Sequence, residues 1–390
     1  MGSDRSVTYS TLKQAVESEP LPAVVVDLAT LDRNTERLGR IVSDADKNLR
    51  VASKSVRVPA ILKRIRDQLG DTFGGLMTFS PSETVFLHEM GFNDFLLAYP
   101  RVHTDHIKTL LELNRTDASV TVMVDEPEHL EQIKTAADVS GTEEPLPVCI
   151  DLDVSYRPMD HTHIGVRRSP VLDIRDFKQL YRSVKDCPAV RFKGVMGYEA
   201  QQAGVPDDSP YHPVKNYAIR AMKVLSRRSV RKKRKEIATF LEEIEPDHLF
   251  NAGGTGSLRA SVQEDWITEV TAGSGFLQSH LFDYYRNHHN EPAFCFGLPV
   301  TRKPADNIVT CQSGGFTASG PVDDDKAPRP FRPEAMHTLP AEGFGEVQTP
   351  LKLSDELRLE VGDPLFFRPA KAGEIAERFN EYLLVRDGTV

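Results

Sequence analysis

Short apolar, β-branched runs recur along the first three quarters of this chain, at 49–53, 74–78, 95–98, 120–124, 146–151, 191–197, 247–251 and 267–271. Runs of this length with little polar alternation read as strands buried on both faces. Between them lie stretches with helical spacing, among them Val58–Asp67, Pro81–Met90, Glu126–Ala137 and Ile174–Lys185. Strand–helix alternation of this kind is the mark of a parallel sheet built from βα units. Eight units in about 230 residues predict an α/β fold with a closed (β/α)8 barrel of the TIM type. An open doubly wound sheet would show a glycine fingerprint after its first strand, and none follows Val51.

The pattern changes at both ends. Ala23-Val24-Val25-Val26-Asp27 precedes the first unit, and beyond residue 287 the segments Pro299–Thr310, Gly314–Phe316, Gly343–Gln348 and Arg358–Asp363 read as short strands and turns. The prediction is a barrel over 28–287 and an all-β domain assembled from 1–27 and 288–390, with the strand 23–26 pairing into the C-terminal part. The polar stretch Pro321–Pro328 reads as a surface loop.

With 390 residues and a formal charge of −9, the chain is long enough for two domains and poorly suited to nucleic acid. The basic run Arg227–Lys235 lies in a helical stretch, Asn216–Glu245, and reads as a solvated face offset by Glu236, Glu242, Glu243 and Glu245. No apolar run approaches the roughly 20 residues of a membrane span. The start, Met1-Gly2-Ser3-Asp4-Arg5, has no apolar signal core, although Gly2 and Ser6 fit the loose myristoylation pattern. A cytoplasmic protein is expected. Cys149, Cys187, Cys295 and Cys311 lie far apart, which indicates neither a disulfide framework nor a thiolate zinc site.

In such a barrel the chemistry gathers at the C-terminal strand ends. Lys54 closes the first run among apolar neighbours, where a lysine can act as a Schiff-base nucleophile or simply end a strand at the surface. Later ends carry Asp151, Asp153, Arg157, His161 and His163, then Gly197-Tyr198-Glu199, then Asn251 through Ser257, then Gly273-Ser274-Gly275. The two glycine turns, Gly253-Gly254-Thr255 and Gly273-Ser274-Gly275, suit a phosphate: backbone N–H groups approach closely, Thr255 and Ser257 add hydroxyls, and a helix starting near Ser257 offers its dipole. An amine facing a phosphate cradle points to pyridoxal 5′-phosphate (PLP).

At these residues the sequence resembles the fold-type III PLP enzymes, in the group that holds D-threonine aldolase and D-serine dehydratase. The resemblance rests on Ala23–Leu28 with Leu31-Asp32-Arg33-Asn34, on Arg50–Lys54, on Leu96–Pro100, on Gly194–Glu199, on Gly253–Thr255 and on Thr268-Glu269-Val270 before Gly273. It implies that Lys54 is the Schiff-base lysine, that Tyr198 lies beside the ring, that Asn251 and the two turns hold the cofactor, and that the chain works as a homodimer. The implied activity is a lyase on a β-hydroxy-α-amino acid of D configuration. A racemase drawing its second proton donor from Tyr284 or Tyr285 of a partner, and a PLP carrier without turnover, are the alternatives.

Two departures qualify this. Where the family carries two ligands of a divalent metal, the chain reads Pro369-Ala370-Lys371-Ala372-Gly373, so no metal is expected and Lys371 either supplies a fixed charge or is solvated. His103, His161, His163 and His280 are scattered. Where the family has Arg-x-Gly, the chain has His163-Ile164-Gly165 followed by Arg167 and Arg168. His163 is therefore placed against the cofactor, and the residue facing the pyridine nitrogen stays open.

Overall fold

A computed structural model describes residues 7–390 apart from 160 and 322. The start of the chain, with its myristoylation pattern, lies outside the described residues. A leading strand, β1 (Ala23–Asp27), is followed by β2 (Asn48–Ala52), β3 (Phe73–Thr78), β4 (Asp94–Leu97), β5 (Ser119–Val124), β6 (Leu146–Asp151), β7 (Val190–Gly197), β8 (Leu249–Ala252) and β9 (Glu269–Ala272). Strands β2 to β9 form a closed parallel barrel, sealed where Leu49 pairs with Val270 and Val51 with Ala272. Each strand falls within two residues of the run that predicted it, because burial on both faces selects the same continuous apolar stretches.

Two side-chain layers fill the barrel. Leu96, Met123, Cys149 and Met196 form an apolar cluster. Arg50 supplies a polar one, donating from Nε to Glu269 at 2.5 Å and from Nη1 to Asp94 at 2.7 Å. Helices begin where the chemistry allows: Asp27 caps Leu28–Ser43, Asp173 caps Ile174–Asp186, and proline opens Pro59–Leu69, Pro81–Glu89 and Pro127–Ser140.

The second unit is an antiparallel sheet of β10 (Phe294–Ala305), β11 (Ile308–Gln312), β12 (Arg329–Arg332), β13 (Met336–Thr338), β14 (Gln348–Leu353), β15 (Pro364–Arg368) and β16 (Tyr382–Val385), joined by β1. β1 lies antiparallel to β10 and parallel to β16, so both ends of the sequence build this sheet. The short helix Tyr9–Ala15 seals it through Leu12, Ala15 and Val16 against Val25, Phe366 and Leu383.

The structure meets some of the remaining expectations and corrects others. Residues 314–316, 343–347 and 358–363 are loops and turns without strands, since their glycines serve turns. The described part of 321–328 is a surface loop holding one 3-10 turn, Asp324–Lys326, with Val322 outside the description. The basic run within the helix Pro213–Ile244 is not uniformly solvated. Arg234 is wholly buried, and Lys233 reaches the carbonyl of Asp153 at 3.1 Å. All four cysteines are free.

Candidate active site

Strand β2 ends in a tight 3-10 turn, Ser53–Ser55, that turns Lys54 towards the barrel mouth. The turn is pinned from several sides. Ser53 Oγ donates to Glu83 at 2.8 Å, Arg57 Nε donates to the Lys54 carbonyl at 3.1 Å, and the Arg57 guanidinium stacks 4.5 Å from the Phe79 ring centre. Lys54 itself is exposed, not walled by apolar side chains as its sequence neighbours suggested, because those neighbours point into the core. Its Nζ donates to Tyr99 Oη at 3.1 Å. Burial pushes the Tyr99 phenol up, but the Lys54 ammonium and Arg168 together hold it below its ordinary value.

Lys54, Tyr198, Asn251, Gly253, Gly254, Thr255, Gly273 and Ser274 line one cavity of about 160 Å3. Gly253 takes φ +86°, a left-handed conformation that favours glycine. At Gly254 a Cβ would come 2.8 Å from Ala203 Cβ and 3.1 Å from Tyr198 Cε2, so the turn packs directly on the tyrosine. Among the described residues the backbone N–H groups of Thr255 and Ser274 meet no acceptor. The helix after Ser257 is a single turn, Leu258–Ser261, so the dipole expected there contributes little.

Three of the expected residues sit differently. Gly275 is off the cavity, its N–H donating to Thr255 Oγ1 at 3.1 Å. The Asn251 side chain lines the cavity but donates to Glu269 at 2.7 Å and to Thr271 at 2.8 Å, which fixes it as part of the polar layer. His163 is not among the lining residues. Its Nε2 lies 3.0 Å from the Val166 carbonyl, on a loop that returns the chain to a bridge between Tyr156 and Ile164. From that loop Arg168 is the side chain that reaches the cavity, 6.0 Å from the Tyr99 ring centre and 5.7 Å from that of Tyr198. Its signal in sequence was only the arginine pair beyond the displaced Arg-x-Gly. Tyr99, inside the Leu96–Pro100 stretch, gave no sign of touching Lys54.

Asp151, at the end of β6, stands behind Arg168. Burial and the neighbouring Asp125 push its carboxyl up to about 7, against the pull of Arg168. Tyr198 is raised to about 12 by burial and then by Glu199. Glu199 accepts from the Gly253 N–H at 3.2 Å and from Ser261 Oγ at 2.5 Å, and pairs with the buried Arg234. Arg234 Nη1 also donates to Glu264 at 2.7 Å, so a buried ionic cluster holds the glycine turn from below.

The residues at the family's metal position do not fit a metal. A Cβ on residue 373 would come 1.8 Å from the Lys54 carbonyl oxygen, which leaves no room for a ligating side chain. Lys371 does not stand free: Nζ donates to Glu374 and to Ser319, each at 2.8 Å. Among the described residues no three His, Cys, Asp or Glu side chains converge as a metal site requires.

Comparison with known proteins agrees with this architecture. The chain is 18% identical to the crystal structure of D-threonine aldolase from Filomicrobium marinum, with a TM-score of 0.76 over 94% of this chain and 91% of that one. It is 18% identical to D-threo-3-hydroxyaspartate dehydratase from Delftia sp. HT23, with a TM-score of 0.74 over 96% and 97%. In sequence, a 3-hydroxy-D-aspartate aldolase of Paracoccus denitrificans (strain Pd 1222) is 23% identical over 273 residues, 69% of this chain and 63% of the relative. A second from Paracoccus denitrificans is 24% identical over 182 residues, 47% and 43%. The chain thus spans less than two thirds of the length of these curated relatives. The sequence model of the alanine racemase N-terminal domain matches residues 26–254, more than half of the chain, which therefore belongs to that PLP-dependent family.

Proposed function

We propose that this chain is a PLP-dependent lyase acting on a β-hydroxy-α-amino acid of D configuration, with Lys54 as the cofactor's covalent tether. The observation that carries the reading is one cavity onto which the Lys54 amine and the turns Gly253–Thr255 and Gly273–Ser274 all open. The residues fit the cofactor: the free Thr255 and Ser274 N–H groups and the Thr255 and Ser274 hydroxyls would hold its phosphate, and Tyr198 would flank its ring. The configuration and the β-hydroxyl come from the names of the relatives.

When bound, the cofactor supplies an electron sink for charge developing at the amino acid's Cα. The chain's own groups do the rest. Tyr99 Oη holds Lys54 Nζ and can exchange a proton with it across 3.1 Å. Arg168, with no hydrogen bond among the described residues, is the cation available to anchor a substrate carboxylate. By fixing the carboxylate, that anchor would decide which Cα bond is presented to the cofactor for cleavage. Of the tyrosines suggested for the racemase reading, Tyr285 Oη is taken up by the Ala203 carbonyl at 2.9 Å, and Tyr284 Oη accepts from Arg329 at 2.8 Å. A homodimer belongs to the same proposal and is checked by sedimentation.

The test is borohydride reduction after PLP loading, peptide mapping, and a panel of D- and L-β-hydroxy amino acids scored for aldehyde and for ammonia release. An adduct on Lys54 with aldehyde or ammonia from D substrates is expected. An adduct on another lysine defeats the site. An adduct on Lys54 with a spectrum indifferent to every amino acid makes the protein a carrier.

A further inference from the structure

A second cavity, of about 320 Å3, shares only Thr255 with the one that holds Lys54. Residues 256–260 line it and not the first, with the helices Leu28–Ser43 and Pro213–Ile244 and the segment 287–290 closing the other sides. Its charge is one-sided. Arg37, Lys223, Arg227 and Arg259 face it, against the single carboxylate of Asp207, so four fixed cations less one anion leave a net charge of +3.

These cations come from three separate elements, and they are neutralised unevenly: Arg37 lies 3.7 Å from Glu291 and donates to the His289 carbonyl, while the others are less well matched. Arg227 and Arg259 make no ion pair or hydrogen bond among the described residues. Lys223 is 7% exposed, and its Nζ sits 3.4 Å from Asp207 Oδ2 and 4.8 Å from the Tyr285 ring centre. Asp207 also accepts from the Arg286 backbone N–H at 3.1 Å, so its charge is shared. An ammonium has three donors, and one long contact to a shared carboxylate leaves capacity unused. The groups also repel one another. Burial, with Arg227 beside it, holds the Lys223 ammonium below its usual value, and burial followed by His289, Arg259 and Arg37 lowers His288 to about 4. Lys223 is buried and Arg37 half-buried beside the void, while exposed Arg227 and Arg259 line it without partners among the described residues, so an anion there would relieve the repulsion.

We infer that this cavity is a binding site for a small molecule bearing a diphosphate, distinct from the turn that would take the cofactor's phosphate. A diphosphoryl group carries about three negative charges at neutral pH, and its oxygens suit guanidinium forks, which bind phosphate bidentately. Inorganic pyrophosphate and a nucleoside diphosphate share that chemistry. The site abuts the catalytic one mechanically: a Cβ at Gly256 would lie 2.3 Å from Tyr285 Cε1, so the Lys223–Tyr285 wall bears directly on the turn that Thr255 belongs to.

The test uses protein loaded with PLP and reduced with borohydride, so that cofactor already fills its own phosphate site. If no cofactor is fixed, the same titration on protein as purified keeps this inference separate from the fate of the lyase reading. Pyrophosphate, ADP and inorganic phosphate are titrated calorimetrically at physiological ionic strength into the wild type and into the Arg227→Gln/Arg259→Gln variant. Both residues are exposed, so the variant should melt as the wild type does. Saturable binding of pyrophosphate, tighter than phosphate and weakened roughly tenfold or more in the variant, is expected from the loss of two charge-assisted contacts. ADP equal to pyrophosphate means that the diphosphate alone is read; tighter ADP identifies a nucleotide. No saturable binding of either, or binding unchanged in the variant, overturns the inference.

Discussion

Replacing Arg234 by methionine removes one guanidinium and strands two buried carboxylates. Arg234 is wholly buried and donates to Glu264, to Glu199 and to the Gly197 carbonyl. Removing one partner of a buried pair costs about 3–5 kcal/mol, because the other charge stays desolvated. Methionine retains most of the apolar stem, so the loss is chiefly ionic, and roughly 4 kcal/mol should go from a total in the usual range of about 5–15 kcal/mol. Urea titration followed by circular dichroism measures it. The pH dependence gives a sharper signature. In the wild type, burial opposes ionisation of Glu199, but Arg234 together with the Ser261 and Ser257 hydroxyls outweighs it, so the carboxyl sits below its usual value and its contribution is lost as pH falls. Without Arg234 the largest of those opposing pulls is gone, the carboxyl rises, and the variant should lose stability as pH rises towards neutrality. The deficit should therefore be smaller at pH 5 than at pH 8. Because Glu199 also holds the Gly253 N–H, PLP affinity should fall with stability. A loss below about 1 kcal/mol, or a deficit that does not change with pH, would refute the argument.

Other expectations follow from the same geometry. Asp151→Asn should stabilise the apoprotein at alkaline pH: a carboxyl raised to about 7 from 3.8 favours the fold below its unfolded value, and that benefit is lost as pH rises through about 7. Its thermal advantage over the wild type should grow by roughly 2–3 kcal/mol between pH 5 and pH 8, and a pH-independent difference would contradict the assignment. Gly254→Val should weaken PLP binding, read by absorbance titration, since a Cβ there presses on Tyr198 and Ala203; unchanged affinity would move the phosphate elsewhere. Lys371→Ala should change stability by less than about 1 kcal/mol, as its partners Glu374 and Ser319 are partly exposed. A large fall in turnover from that variant would show that the ammonium acts on substrate.

The barrel was legible because its strands are buried on both faces, and such strands leave unbroken apolar runs that no surface demand interrupts. The β domain was less so. Its loops at 343–347 and 358–363 carry apolar residues such as Phe344 and Leu359 that pack on the core without forming strands, which composition alone does not distinguish. Within the candidate site, Lys54 and the glycine turns announced themselves by residue type and position. Arg168 and Tyr99 did not, since what brings them together is the path of the 152–170 loop and not their spacing. The burial of Arg234 was hidden for a similar reason: one guanidinium in a basic run looks like its neighbours until the facing carboxylates of Glu199 and Glu264 are in place.

The pairing of β1 with both β10 and β16 has a consequence for how the molecule is made. Val26 must meet Phe294 and Leu384, so the first strand is synthesised long before either of its neighbours exists. During translation it is an unpaired apolar edge, carried while the whole barrel emerges. The barrel has all eight of its strands by residue 272, and they pair only with one another. The β domain cannot begin to close around β1 until Phe294–Ala305 has left the ribosome, and its last seam waits for Tyr382–Val385. Loss of the last ten or so residues would therefore expose Val24 and Val26 at the opposite end of the sequence, so the two termini share a single vulnerability to truncation and to proteolysis.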